Sequence, residues 1–152
     1  MRRILVQVDD FDVGAETRLL QSAASDIGGI ATFVGVVRDV NDDDEVSALY
    51  LEHYPGMTEK QLLTIMLEAE TRWRVLGATV IHRVGQLYPA DQIVFVGVAS
   101  RHRGDAFDAC EYIIDYLKTR ATFWKKEHTL DGDRWLETRD SDVETAKAWE
   151  KS

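Results

Sequence analysis

Ala78-Thr-Val-Ile-His-Arg-Val84 and Gln92-Ile-Val-Phe-Val-Gly-Val-Ala-Ser100 are the two runs that decide how this chain folds. Both are rich in β-branched and apolar residues and short enough to be strands. Only the turn Leu87-Tyr-Pro-Ala-Asp91 stands between them, with no helical pattern. Successive strands without an intervening helix favour antiparallel pairing, so the chain reads as α+β rather than doubly wound.

Upstream, Arg3–Val8 reads as a strand and Gly14–Ala24 as a short helix. Ile30–Val37 is almost wholly apolar and is expected to be a strand buried on both faces. Asp39–Glu45 holds five acids in seven residues and reads as an exposed, solubilising loop. After the strand Val46–His53, Thr58 with Gln61 forms a capping-box pattern. The helix it opens turns Leu62, Ile65, Met66, Ala69 and Trp73 inward and ends at Gly77. Downstream, Asp105 is the expected cap of a helix with Ala106, Ala109, Cys110, Ile113, Ile114 and Leu117 inward. A short strand over Arg134–Thr138 precedes a final helix opened by Ser141 with Glu144. The order is β-α-β-β-α-β-β-α-β-α without repeats or linkers, so residues 1–152 are expected to form one domain.

A chain of 152 residues with 45% hydrophobic content can bury a real core. No apolar run approaches the roughly 20 residues of a membrane span. Acidic residues interrupt the N-terminal apolar stretch before a signal-peptide core forms, and the expected location is cytoplasmic. The single cysteine, Cys110, excludes an internal disulfide and a cysteine-cluster metal site. Its place on an apolar helix face reads as a buried, inert thiol. His53, His82 and His128 fall on different elements without ligand spacing; they are given structural roles, and no metal is assigned.

The formal charge is -9, yet Tyr116–Lys126 contains Lys118, Arg120, Lys125 and Lys126 and no acid. A second basic knot, Ser100-Arg-His-Arg103, lies just upstream. Cations gathered in an acidic protein point to an anionic ligand. The net negative balance disfavours general nucleic-acid binding. There is no Gly-x-Gly-x-x-Gly, no Gly-Lys-Ser/Thr phosphate loop and no Gly-x-Ser-x-Gly elbow. What remains is a Lys–Arg–His set: arginines to clamp an anion, and a lysine whose amine is made reactive by neighbouring cations. Burial of Phe123 and Trp124 would fold Ala121–Lys126 back toward the helix. Each part also has a plain structural account. Lys118 suits a helix C-terminus, Lys125 and Lys126 a solvated loop end, Arg38 a pair with the acidic loop, and His102 a satisfied imidazole. The cations alone also fit a non-catalytic phosphoanion- or RNA-binding module.

Several long stretches give the chain a resemblance to the large, catalytic subunit of molybdopterin synthase. They are Leu51-Glu-His-Tyr-Pro-Gly-Met57, Ile81-His-Arg-Val-Gly85, Ser100-Arg-His-Arg103, Asp115-Tyr-Leu-Lys-Thr-Arg120, Phe123-Trp-Lys-Lys-Glu127 and Gly132-Asp-Arg-Trp135. The similarity runs from Phe11-Asp-Val-Gly14 to Trp149. It implies an α/β hammerhead with antiparallel sheet and flanking helices. It implies conversion of cyclic pyranopterin monophosphate to molybdopterin by installing two sulfurs as a dithiolene. The sulfur donor would be the thiocarboxylate on the C-terminal Gly-Gly tail of a small ubiquitin-like partner. Two large subunits would form the homodimeric core of a heterotetramer. No cofactor, ATP or metal is implied at this step.

Carried onto this sequence, the resemblance makes Lys118 the principal catalytic lysine and Lys125 the second. It makes His102, Arg103 and Arg38 substrate contacts, with Lys126 and Glu127 continuing the binding segment. Arg139 is a further candidate, serving the neighbouring protomer's pocket. The chain departs from the family at Val36, where some members carry lysine.

Overall fold

The computed structural model describes residues 1–151. In chain order the elements are β1 (Arg2–Gln7), α1 (Val13–Gln21), β2 (Gly29–Val36), β3 (Val40–Asn41), β4 (Asp44–His53), α2 (Met57–Arg72) and β5 (Gly77–Arg83). They continue with β6 (Gly85–Leu87), β7 (Gln92–Ser100), α3 (Arg103–Arg120), β8 (Phe123–Thr129), β9 (Gly132–Leu136), α4 (Asp140–Lys147) and a 3-10 turn over Ala148–Lys151. No helix among them is long and apolar enough to cross a membrane.

The α+β class is observed, as two sheets. The first has the order β1-β5-β7-β2. β5 and β7 pair antiparallel, as their short connection requires, and β7 pairs antiparallel with β2. The β1–β5 pair is parallel, against the expectation of an antiparallel sheet, because α1, β2, β4 and α2 carry the chain round before it returns. Alternation along β7 divides its side chains between two cores. Val94, Val96 and Val98 pack with Leu62, Ile65 and Met66 of α2 and Ile113 and Leu117 of α3. Phe95 and Ala99 pack with Leu20 of α1 on the opposite face. Cys110 lies in the first of these cores, with burial pushing its thiol up to about 12, so the inert reading holds.

β2 departs from its expected burial. As the edge strand of the first sheet it leaves Phe33 37% and Val36 47% exposed. The second sheet runs β3-β4-β8-β9, with β6 paired to β4. Val37, Leu49, Leu51, Val84 and Leu87 form the core beneath it. The acidic stretch is not a loose loop. Val40–Asn41 and Asp44–Glu45 pair as a hairpin closed by Asp42 and Asp43, at φ 51 and 64. Two successive left-handed residues match the twist of a tight hairpin, and aspartate tolerates that conformation.

The segment after α3 folds back as β8, antiparallel to β4 from Val46↔Thr129 to His53↔Phe123. Residues expected to cap α2 secure this return. The helix opens at Met57, after Gly56 at φ 85, whose N–H donates to Glu59 Oε2 at 2.7 Å. Thr58 Oγ1 instead donates to the Thr122 carbonyl at 2.9 Å, and Gln61 Oε1 accepts the Thr122 N–H at 2.7 Å.

Candidate active site

A cavity of about 460 Å³ opens where the two sheets meet the C-terminal end of α3. Its wall includes Phe33, Val36 and Arg38 from the end of β2 and beyond, Asn41 from the acidic hairpin, and His82 from β5. α3 contributes Ile114, Leu117 and Lys118, β8 contributes Phe123, Lys125 and Glu127, and Arg139, Ser141 and Asp142 close the far side.

Strand parity selects the β8 residues. Phe123, Lys125 and Glu127 face the cavity, so Lys126 between them faces out. Lys126 lies across from Tyr50 and Trp135, with Nζ 5.6 and 5.3 Å from their ring centroids. The expected burial of Phe123 and Trp124 is therefore half right: Phe123 packs inward while Trp124 is 46% exposed.

Lys118, Lys125, Arg38 and Arg139 bring four cations to one cavity. Among the described residues neither lysine has a carboxylate within ion-pair distance. Burial first, then the charges of Lys118, Arg139 and Arg38, hold the Lys125 amine below the ordinary lysine range, while Asp142 pulls the other way. An amine in that condition can give up its proton more readily than a solvated lysine.

Glu127 is 4% exposed and held by two donors, Arg134 Nε at 3.0 Å and Asn41 Nδ2 at 2.8 Å. Arg134 also reaches Asp44 at 2.6 Å and the Asn41 carbonyl at 3.2 Å. Asn41 Oδ1 accepts from Arg38 at 3.4 Å and from Arg139. Arg139 thus lines the cavity of its own chain, rather than serving only a neighbour's.

His102 and Arg103 do not join this group. They are exposed at the opposite end of α3, fifteen residues from Lys118, or roughly 22 Å along a helix. There they stand beside the start of β2, where Gly28 lets the chain approach the Arg101 carbonyl. A Cβ at that position would lie 1.9 Å from the Arg101 oxygen. Val36 lines the cavity with an apolar side chain, so no amine projects from this position.

Two wall residues escaped the sequence reading. Asn41 was hidden in a run of acids, though its place before two turn-forming aspartates was a hairpin signal. His82, whose sequence context gives it a structural role, also lines the wall. It is buried, and burial drives its pKa down to about 3, so the ring is neutral. A lone histidine on the Val80 face of a strand otherwise built for packing was the available signal.

Residues 6–120 match the family described as MoaE protein. The molybdopterin synthase catalytic subunit of Salmonella typhimurium is 56% identical over 147 residues, covering 97% of each chain. The MoaE protein of Burkholderia ambifaria superposes with a TM-score of 0.86 at 50% identity, covering 99% of both chains. The fold is also shared, at TM-score 0.70 and 18% identity over 91% of both chains, with the complex of subunits 1 and 2 of molybdopterin-converting factor from Helicobacter pylori. By sequence and by fold, this chain belongs to the MoaE family of molybdopterin synthase catalytic subunits.

Proposed function

We propose that the chain converts cyclic pyranopterin monophosphate to molybdopterin, taking sulfur from the thiocarboxylate tail of a small ubiquitin-like carrier subunit. The observation that carries this is the meeting of Lys118, Lys125, Arg38 and Arg139 in one cavity of an acidic protein. Both reactants are anions, and neither lysine is neutralised by an internal carboxylate. Residues 1–152 act as one catalytic domain, in the cytoplasm, with the carrier as partner.

In this reading Arg38 and Arg139 take the cyclic phosphate through charge-assisted hydrogen bonds. Lys118 is exposed on the cavity wall, where an incoming Gly-Gly tail meets the pterin side chain. The thiocarboxylate sulfur forms a C–S bond to the pterin side chain as a C–O bond breaks, and the Lys118 ammonium protonates the departing oxygen. Water then cleaves the acyl–sulfur bond, so the sulfur stays on the pterin and the tail leaves as a carboxylate. Lys125, with its lowered proton affinity, takes a proton from that water. A second tail repeats the sequence for the second sulfur.

The placement of His102 and Arg103 supports completion of the site by a second copy. β2 is an open sheet edge about 23 Å long, with the cavity at its end and Arg103 at its start. Antiparallel pairing of two β2 edges about a twofold axis would lay the first residues of one strand beside the last residues of the other. His102 and Arg103 would then reach the partner's cavity, in keeping with a homodimeric core.

The direct test mixes the chain with thiocarboxylated carrier and the pterin precursor and measures dithiolene product. Product is expected with the wild type and a loss of about 100-fold or more with Lys118→Ala. Full activity in Lys118→Ala would remove the assigned chemistry.

A further inference from the structure

We propose that Asn41 is a positioning residue. It gathers Arg38 and Arg139 into one anion grip without neutralising them, and the site requires an amide rather than a carboxylate at this position. The proposal rests on the phosphate-binding part of the function above and names the residue that sets it.

The amide's orientation follows from its partners. Asn41 is 8% exposed, and one end of its side chain meets Glu127 Oε2 at 2.8 Å. An ionised carboxylate only accepts hydrogen bonds, so the end facing it must be the NH2 group. Glu127 is in turn fixed by Arg134, which also holds the Asn41 backbone carbonyl and Asp44. The tight Asp42–Asp43 turn closes the unit. Oδ1 is therefore presented on the other side, where it accepts from both Arg38 and Arg139.

Two guanidinium groups converging on one oxygen repel each other, and an amide oxygen carries no formal charge to offset that repulsion. Each arginine uses one N–H on Asn41 and keeps other donors for a ligand. A tetrahedral oxyanion set between the two would relieve the repulsion and accept from both forks. An aspartate here would have nearly the same shape, but it would pair with the arginines and compete with the ligand. The polar chain running from Arg134 through Glu127 and Asn41 to the arginine pair thus ends in a double cation on the cavity wall, offset by one exposed carboxylate, Asp42, whose Oδ1 lies 3.9 Å from Arg139.

The probe is inorganic phosphate, with pyrophosphate beside it, titrated calorimetrically into the intact protein at two salt concentrations. Wild type is expected to bind both, more weakly at high salt. Asn41→Asp is expected to lower these affinities at least tenfold and to raise KM for the pterin precursor by a similar factor, with kcat changed only a few-fold. A purely structural role would lower the melting temperature and kcat together without this split. Should Asn41→Asp fail to fold beside Glu127, Asn41→Ala is titrated instead, and a tenfold loss is again expected. Wild type without phosphate affinity, or a folded variant that binds phosphate as wild type does, overturns the proposal. Weakened phosphate binding in the variant together with no sulfur transfer by the wild type would uphold the grip and sink the assigned reaction.

Discussion

The imidazole of His82 lies against the ring of Phe123, with centroids 3.8 Å apart and planes 19° from parallel. The pair joins β5 of the first sheet to β8 of the second, at the wall of the cavity. His82 Nδ1 lies 2.8 Å from the Arg83 carbonyl. A carbonyl only accepts, so Nδ1 carries the ring proton and Nε2 is left as an acceptor.

This neutral ring predicts an acid sensitivity. The folded pKa, near 3, lies below the ordinary value of 6.5, so the unfolded chain binds a proton that the folded chain refuses. The stability held above pH 6.5 is therefore lost progressively as pH falls toward 3, by an amount on the order of a few kcal/mol. Urea unfolding at a series of pH values should show this slope in wild type and a shallower one in His82→Gln. Identical slopes would show that the ring titrates normally.

Lys125 should carry a stability cost. Its folded proton affinity is lowered by burial and by Lys118, Arg139 and Arg38, so the charged form is penalised in the folded state alone. That penalty is greatest below the folded pKa and fades as pH rises through it toward the unfolded value. Lys125→Met should melt above wild type at neutral pH while sulfur transfer falls by about 100-fold or more. Melting scans and product assays on the same preparation check both halves. A less stable, fully active variant contradicts both.

Mixed dimers test the completion of one cavity by the other protomer. Lys118→Ala and Arg103→Ala are each expected to be nearly inactive alone. If Arg103 acts across the interface, each mixed dimer contains one site with both residues intact. Random exchange makes about half the dimers mixed, so about a quarter of wild-type activity should return. If both residues serve the same protomer's site, no activity returns on mixing.

Trp149 should govern the far wall of the cavity. Its ring meets Trp73 and Tyr112 at centroid distances of 5.4 and 5.6 Å, and its Nε1 donates to Asp115 at 2.8 Å. These contacts anchor the chain just past α4, the helix that carries Ser141 and Asp142 and follows Arg139. Trp149→Ala is expected to cost about 2–4 kcal/mol in denaturant unfolding and to raise KM for the pterin precursor. Trp149→Phe should recover most of both. An unchanged KM in the alanine variant would separate the anchor from the site.

The strands around Val80 and Val96, the inward face of α3, the absence of a nucleotide loop and the collection of cations are all legible in the order of amino acids. Each of these is a local pattern: period-two alternation, helical spacing, composition, or a motif read in order. The parity of β8 was decided only in the folded molecule. Phe123-Trp-Lys-Lys-Glu-His-Thr129 is too polar to reveal which face is buried, and pairing with β4 turns Lys125 inward and Lys126 outward. The same holds for Asn41, whose partners Glu127 and Arg139 lie 86 and 98 residues away. It holds too for His102 and Arg103, which the length of α3 keeps from Lys118. Alternation and capping act between neighbours in the chain, whereas a cavity wall is assembled by tertiary contacts that no local pattern records.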